Sequence, residues 1–327
     1  MQHDEAARRP QIRAFRWPAK VKAADLALPA FIVLIAVVAG AIEPRFFSFS
    51  NLENLARQIV PLMIASVGQA FAIISGGLDL SIAAVLSVAG VAGVLSMPHI
   101  GVPLGVAVMA VTGLAIGSVS GFIIAYFKTT PLIVTLGMMS ISQAIALIFA
   151  NGVPIYSVPE GLTDTIGFGV VFGIPVTVLI GALTMVVGWV LLRKTVFGRY
   201  VYAIGSNRSA AEKSGIDVRL YTMLVYAVCG LTSGIGAIVL TAWVGAAQPV
   251  AAPTLTLQSL AAVVLGGVAL TGGSGGMLQV LYGVIILGML SNAMNMIGIS
   301  DFYQTLAVGI VIILAVILDR FRRGARS

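Results

Sequence analysis

The chain has 327 residues, of which 59% are hydrophobic and only 9% are charged, and its mean hydropathy is +1.04. Soluble globular proteins carry roughly 25% charged residues, so this composition excludes an ordinary soluble protein and indicates a membrane protein. The formal net charge of +7 is concentrated at the two termini and in one central loop, which is a topology signal and not a nucleic-acid footprint. A single cysteine, Cys229, and two distant histidines, His3 and His99, exclude a disulfide framework and indicate no metal site.

The apolar stretches predict an all-α, polytopic membrane protein with about ten transmembrane helices. The membrane domain is predicted over residues 26–319, between a basic segment at 1–25 and a basic tail at 320–327. The predicted spans lie at about 26–42, 55–74, 80–97, 102–127, 131–150, 169–192, 220–242, 257–270, 277–297 and 302–318. A cleaved signal peptide is the alternative for the first span, but its charged lead and its apolar run are both long for one.

The distribution of Lys and Arg predicts the orientation of the chain. With ten spans and the N-terminus inside, only Arg45 and Arg57 of the 19 basic residues fall outside. This arrangement places both termini and the central loop 193–219 in the cytoplasm, and loop 151–168 outside. Loop 151–168 divides the spans into five and five, which indicates inverted halves of the kind found in many transporters.

The central loop, 193–219, is the long internal segment that is both polar and rich in charge. Ser209 and Glu212 have capping-box spacing, and Gly215 can close a helix because glycine readily adopts positive φ. The pattern predicts a helix of one to two turns on the aqueous face. An ordinary charged loop is the alternative.

A second motif, SGGLDLS at 75–81, interrupts an apolar stretch with Gly76 and Gly77, which Asp79 and Ser81 follow. Irregular backbone at membrane depth requires surrounding protein or a water-filled cavity, and an acidic residue there indicates function. The alternative is a break at the membrane interface, where Asp79 only caps the next helix.

Several neutral polar residues lie inside predicted spans and are candidates to line a pore: Gln69, Asn292, Asn295 and Gln304. Neutral hydrogen-bonding groups would suit an uncharged, hydroxyl-rich solute. Hydrogen bonding between helices is the alternative role for each of them.

The sequence also indicates which functions to exclude. No lysine follows a GxxxxG pattern, so the chain has no Walker A loop, and no Ser/His/Asp constellation is plausible. Apart from Asp79, no ionisable residue lies convincingly inside a span, so a proton relay is not indicated. The chain is therefore expected to catalyse no covalent chemistry and to receive energy from another protein. A stand-alone facilitator or channel for a small neutral solute is the alternative.

Five motifs occur in a characteristic order: GGLDLS at 76–81, TTPLIVTLGMMSI at 129–141, FGRYVYAIGSNRSAAEKSGI at 197–216, AAVVLGGVALTGGSGG at 261–276 and LAVGIVIILAVILD at 306–319. Through them the chain resembles, over about residues 26–319, the permease subunit of the ribose-type carbohydrate importers of the ABC superfamily. Two departures, Thr256 and Gln258 for an acidic pair and Ser274 for an arginine, leave the solute open.

The resemblance implies a permease homodimer in the bacterial inner membrane that imports a monosaccharide or a similar solute by alternating access. It implies partner ATPase subunits that hold ATP and Mg²⁺, an extracytoplasmic solute-binding protein, and no cofactor or nucleic acid on this chain. It also implies a coupling helix that docks on the ATPase. The expected coupling residues, including the two from the capping pattern, are Gly205, Asn207, Ser209, Ala211, Glu212, Gly215 and Ile216. The broken-helix motif comprises Gly76, Gly77, Asp79 and Ser81.

Overall fold

The computed structural model describes residues 23–300, 302–310 and 313. In chain order the helices are α1 (Ala23–Ile42), α2 (Phe49–Gln58), α3 (Val60–Ile74), α4 (Ile82–Ile100), α5 (Val102–Tyr126), α6 (Pro131–Phe149), α7 (Glu160–Leu162), α8 (Val176–Lys194), α9 (Val196–Ser206), α10 (Arg208–Lys213), α11 (Val218–Val244), α12 (Leu255–Leu265), α13 (Met277–Met296) and α14 (302–310). The predicted basic tail, and all but 23–25 of the basic N-terminal segment, lie outside the described residues.

Seven helical stretches of the described chain are long and apolar enough to cross a membrane, which confirms an α-helical polytopic membrane protein. They are Phe49–Ile74, in which α2 continues into α3, and helices α4, α5, α6, α8, α11 and α13. Two further apolar helices, at Leu26–Ile42 and Leu255–Leu265, are shorter. The count of ten spans and the inverted halves stay predictions.

Helix α3 is the centre of the bundle, since every residue from Val60 to Ile74 is buried. Helix α11 packs against it and against α5. The contact between α5 and α11 uses two glycines four residues apart on each helix, Gly113 and Gly117 facing Gly230 and Gly234. A Cβ atom on Gly117 would lie 2.8 Å from the Cα of Gly230, so only glycine allows this close approach.

The predicted sixth span, 169–192, begins too early. Residues 170–175 form an antiparallel hairpin, in which Val170–Val171 pair with Ile174–Pro175, and α8 starts only at Val176. The turn residues Phe172 and Gly173 have φ values of 52° and 79°, the two positive values that a type I′ hairpin turn requires. The apolar composition of this segment concealed its turn chemistry.

The predicted eighth span, 257–270, is also wrong in extent. Helix α12 has only 11 residues, which corresponds to about 16 Å, or roughly half of the hydrocarbon core. A non-helical stretch, 245–254, precedes it, and two hydroxyl groups of α4 and α12 hold this region in place. The Ala251 N–H donates to Ser87 Oγ (3.0 Å), and the Ala83 N–H donates to Thr256 Oγ1 (3.1 Å).

The fold predicts which loops lie on opposite sides of the membrane. Ser157 and Ser209 are exposed and belong to segments at opposite ends of α8. Ser157→Cys and Ser209→Cys, each in a Cys229→Ser background, should react with an impermeant maleimide from opposite sides of sealed vesicles of uniform orientation. The background change is mild, because a serine hydroxyl can replace the buried Cys229 thiol as a donor to Gly68 O. Labelling of both from one side would contradict a membrane-spanning α8.

Candidate functional site

The central loop contains two helices, α9 and α10, where the sequence predicted one. Thr195 caps α9 by accepting a hydrogen bond from the Gly198 N–H (3.3 Å). Val201 and Ile204 form the buried side of α9, whereas Arg199 is exposed. Sequence reasoning missed α9, although the threonine cap and the apolar spacing were signals for it.

Helix α10 confirms the predicted short helix but not its predicted cap. Asn207 lies in extended conformation and its Oδ1 accepts from the Ala210 N–H (3.0 Å). Ser209 is already inside the helix, so the predicted Ser209–Glu212 capping box is wrong. Asparagine is among the best N-cap residues, and Asn207 has the extended backbone conformation that an N-cap requires.

The end of α10 is a Schellman motif closed by Gly215, whose φ is +82°. The Ile216 N–H donates to Ala211 O (3.2 Å), and the Gly215 N–H donates to Glu212 O (3.0 Å). Ala211 is only 4% exposed and packs with Ile204, Ile216 and Val218. It therefore stabilises the loop from inside. The side chains that α10 exposes are those of Arg208, Ser209, Ala210, Glu212 and Lys213.

Three glycine-containing segments meet at the C-terminal end of α9: the break after α3, the end of α9 itself and the loop after α12. A Cβ atom on Gly205 would lie 1.8 Å from Ile74 O, and one on Gly272 would lie 2.9 Å from the Cα of Gly76. The Gly273 N–H donates to Ile74 O (2.8 Å). We call this contact the glycine junction. It joins three of the five sequence motifs, those at 76–81, 197–216 and 261–276.

Tyr202 of α9 adds a side-chain link to the same loop. Its hydroxyl donates to Gly275 O (2.7 Å). Burial raises the pKa of the Tyr202 phenol, more than the nearby Arg193 lowers it, so the hydroxyl remains a donor at neutral pH. Helix α9 is thereby attached both to the end of α3 and to the loop that joins α12 to α13.

Asp79 lies in the break and is 2% exposed. Its Oδ1 accepts from the Ser81 N–H (2.8 Å) and from Ser81 Oγ (2.6 Å). Asp79 thus closes a tight turn before α4, while Thr256 of α12 caps the amide of Ala83. Within the described part of the chain, no Lys or Arg forms an ion pair with Asp79.

A cavity of 210 Å³ lies at the other end of α3, where α11, α12, α13 and α14 also border it. Its lining is neutral, with an indole from Trp243 and polar groups from Gln58, Gln258, Ser291, Asn295 and Gln304. Asn295 and Gln304 were predicted to line a pore, and Gln304 Nε2 donates to Asn295 Oδ1. Sequence reasoning noted Gln258 only as a departure from the family pattern and did not select Ser291, because their proximity depends on the position of the short helix α12.

The other two predicted pore residues lie outside this cavity. Asn292 forms a reciprocal amide pair with Asn51, with N···O distances of 3.0 and 3.1 Å, which ties α13 to α2. Gln69 is fully buried in α3. No group of the described residues hydrogen-bonds to either of its amide atoms.

A family model described as "Branched-chain amino acid transport system / permease component" matches residues 51–316. The chain belongs to this permease family. It is 39% identical over 297 residues to the ribose import permease protein RbsC of Haemophilus influenzae, covering 89% of this chain and 91% of that protein. It is 34% identical over 301 residues to the L-arabinose transport system permease protein AraH of Escherichia coli, covering 91% of both. No solved structure matches the chain significantly.

The RbsC protein of Bacillus subtilis is a third such relative, at 37% identity over 296 residues, covering 88% of this chain and 90% of that protein. These matches confirm the predicted resemblance to the ribose-type ABC permeases. The chain is accordingly a permease subunit and not itself an enzyme. As a permease it is a multi-pass membrane protein, which agrees with its apolar helices.

The glycine junction predicts that position 205 tolerates no side chain. Gly205→Ala places a methyl group inside bonding distance of Ile74 O, and such overpacking costs about 1–3 kcal/mol. The variant should unfold at a lower temperature in detergent, as monitored by intrinsic fluorescence. Gly137→Ala is the matched control, since no atom lies within 4 Å of a Cβ there. Equal midpoints for both variants would contradict the close contact.

Proposed function

We propose that the chain is the solute-conducting permease of an ATP-driven importer for a monosaccharide or a similar polyhydroxylated solute. The observation that carries this proposal is the neutral, amide-rich cavity in a member of a permease family. Amide groups both donate and accept hydrogen bonds, as sugar hydroxyls do, and the Trp243 ring offers an apolar face. Relatives named as ribose, D-allose and L-arabinose permeases support the same class of solute.

Transport proceeds by alternating access, and the energy comes from ATP and Mg²⁺ bound to partner ATPase subunits. The exposed side of α10 docks on the ATPase, and an extracytoplasmic binding protein delivers the solute at the opposite face. Two copies of the chain form the pore in the bacterial inner membrane. Both termini and loop 193–219 lie in the cytoplasm, in agreement with the positions of Lys and Arg.

The glycine junction gives a physical route from docking to the pore. Force on α10 passes to α9 through the buried contact of Ala211 with Ile204. From α9 it reaches the broken helix at Gly76 and the loop at 272–275 through close backbone contacts and through the hydrogen bond of Tyr202 to Gly275 O. Stiff, close-packed contacts transmit displacement better than long side chains do.

Docking is tested with a bulky residue on the exposed side of α10. Ser209→Trp should abolish co-purification of the ATPase and lower ATP-dependent sugar uptake into proteoliposomes by roughly tenfold, as expected for overpacking a fitted interface. Ser157→Trp, equally exposed at the opposite end of α8, is the control and should bind the ATPase normally. ATP-independent uptake by the wild-type chain alone would instead support a stand-alone facilitator.

Transmission is tested at Tyr202. Tyr202→Phe removes the hydrogen bond to Gly275 O but keeps the ring, so the ATPase should still dock. Loss of one such bond, about 1 kcal/mol, should lower the sugar imported per ATP hydrolysed by roughly fivefold. Tyr200→Phe, on the same helix, keeps the edge-on contact with the ring of Tyr221 and should leave this ratio unchanged. Equal ratios in both variants would remove Tyr202 from the route.

A further inference from the structure

Gln69 is an anomaly in the packing of α3. Its side chain has 0% exposure, and neither amide atom has a hydrogen-bond partner in the described part of the chain. Burying an amide without partners is strongly unfavourable, more so in a membrane protein, where the surrounding lipid offers none. A buried amide of this kind requires an explanation, and a partner that binds in another state of the protein provides one.

Gln69 belongs to a stripe that leads away from the cavity. Residues 62, 66 and 69 share one face of α3, because helical neighbours are spaced three and four apart. Leu62 lines the 210 Å³ cavity, and the Ser66 hydroxyl is also buried without a partner among the described residues. Gln69 lies about 10 Å deeper than Leu62 along the helix axis. Ser66 alone would be weak evidence for a site, since a serine hydroxyl can rotate and donate to a backbone carbonyl of its own helix.

The remaining faces of α3 are occupied by other helices. Met63 and Val67 contact α8 at Gly181 and Gly188. Gly68 lies against Cys229 and Thr232 of α11. Ile59, just before α3 and seven residues before Ser66, lies against Gly288 of α13. Helix α12 also packs on α3 and lines the cavity beside Leu62 through Leu255 and Gln258.

Of the helices that pack on α3, α12 is the one most able to move. It is short, and non-helical segments at 245–254 and 266–276 flank it, so it can shift without breaking a continuous helix. The segment that follows it is bonded to Ile74 and to Tyr202 at the glycine junction. Movement of α9 would therefore reach the segment that joins α12 to α13.

We infer that Ser66 and Gln69 form a second binding site for a neutral, hydroxyl-bearing solute, which α12 covers in the conformation described. When α12 withdraws, the cavity extends inward along α3, and the Gln69 amide hydrogen-bonds to solute hydroxyls. This inference rests on the proposed import of a sugar and adds a residue-level path for it.

The test replaces the amide with a group of similar length that cannot hydrogen-bond. Gln69→Met should raise the midpoint of thermal unfolding in detergent, because it removes the unpartnered buried amide. In proteoliposomes with the ATPase and binding protein, it should lower ribose uptake roughly 25-fold, as expected when a solute loses two ordinary hydrogen bonds that each contribute about fivefold. Ser66→Ala should have the same signs of effect, with smaller size.

Thr177→Val in α8 is the matched control, because Thr177 also carries a buried hydroxyl without a partner in the described chain but lies away from this face. It should not lower the unfolding midpoint and should leave uptake unchanged. Normal uptake by Gln69→Met would overturn the inference while the proposed function stands. A lower unfolding midpoint for Gln69→Met would also overturn it, because the amide would then have partners within the fold. Absence of ATP-driven uptake of any tested sugar by the wild type would refute the proposed function itself, and the inference with it.

Discussion

The structure depends on one constraint: backbone polar groups inside a membrane bundle must be satisfied by the protein. Regular helices meet it on their own, but the segments at 75–81, 245–254 and 266–276 are not helical. An acceptor on a neighbouring helix holds each of the last two, and a hydroxyl of α12 holds the start of α4 just after the first. Ser87 accepts from Ala251, Thr256 accepts from Ala83, and Ile74 accepts from Gly273. These bonds all connect the short helix α12 or its flanks to α3 and α4.

Close approach of backbone segments explains where two groups of glycines lie. At the contact of α5 with α11, Gly117 and Gly230 allow two long helices to pack backbone to backbone, which stabilises a rigid half of the bundle. At the glycine junction, Gly205 and Gly272 allow the same closeness between elements that are not continuous helices. The described chain thus combines a block of long, closely packed helices with short helices joined by non-helical segments, and the proposed alternating access would use both.

The polar groups of the interior are distributed unevenly between these two parts. Asn292 is satisfied by Asn51, and Gln143 donates to Pro249 O, so these amides serve packing. The cavity amides lie instead beside α12, which also lines the cavity, and the Gln69 amide has no partner among the described residues. Neutral groups can exchange protein partners for solute hydroxyls, which a fixed ion pair could not do without a large desolvation cost.

The sequence by itself determined the class of protein, because hydropathy and the positions of Lys and Arg depend only on composition along the chain. It also gave the short helix at Arg208–Lys213 and the positive φ of Gly215, since local propensity controls both. It placed the N-cap two residues too late, at Ser209 and not at Asn207. Both are good capping residues, and only the backbone conformation selects between them.

Only the tertiary structure decided the rest. That Thr256 caps α4 rather than Asp79, and that Gly205, Gly76 and Gly272 meet, are contacts between distant segments that leave no periodic signal. The burial of Ala211 and the isolation of the Gln69 amide likewise depend on which helix covers each face. Apolar composition shows that a segment is buried, but it carries no information on which segments lie next to it. Those neighbours determine whether a polar group lines a cavity, caps a helix or is left without a hydrogen-bond partner.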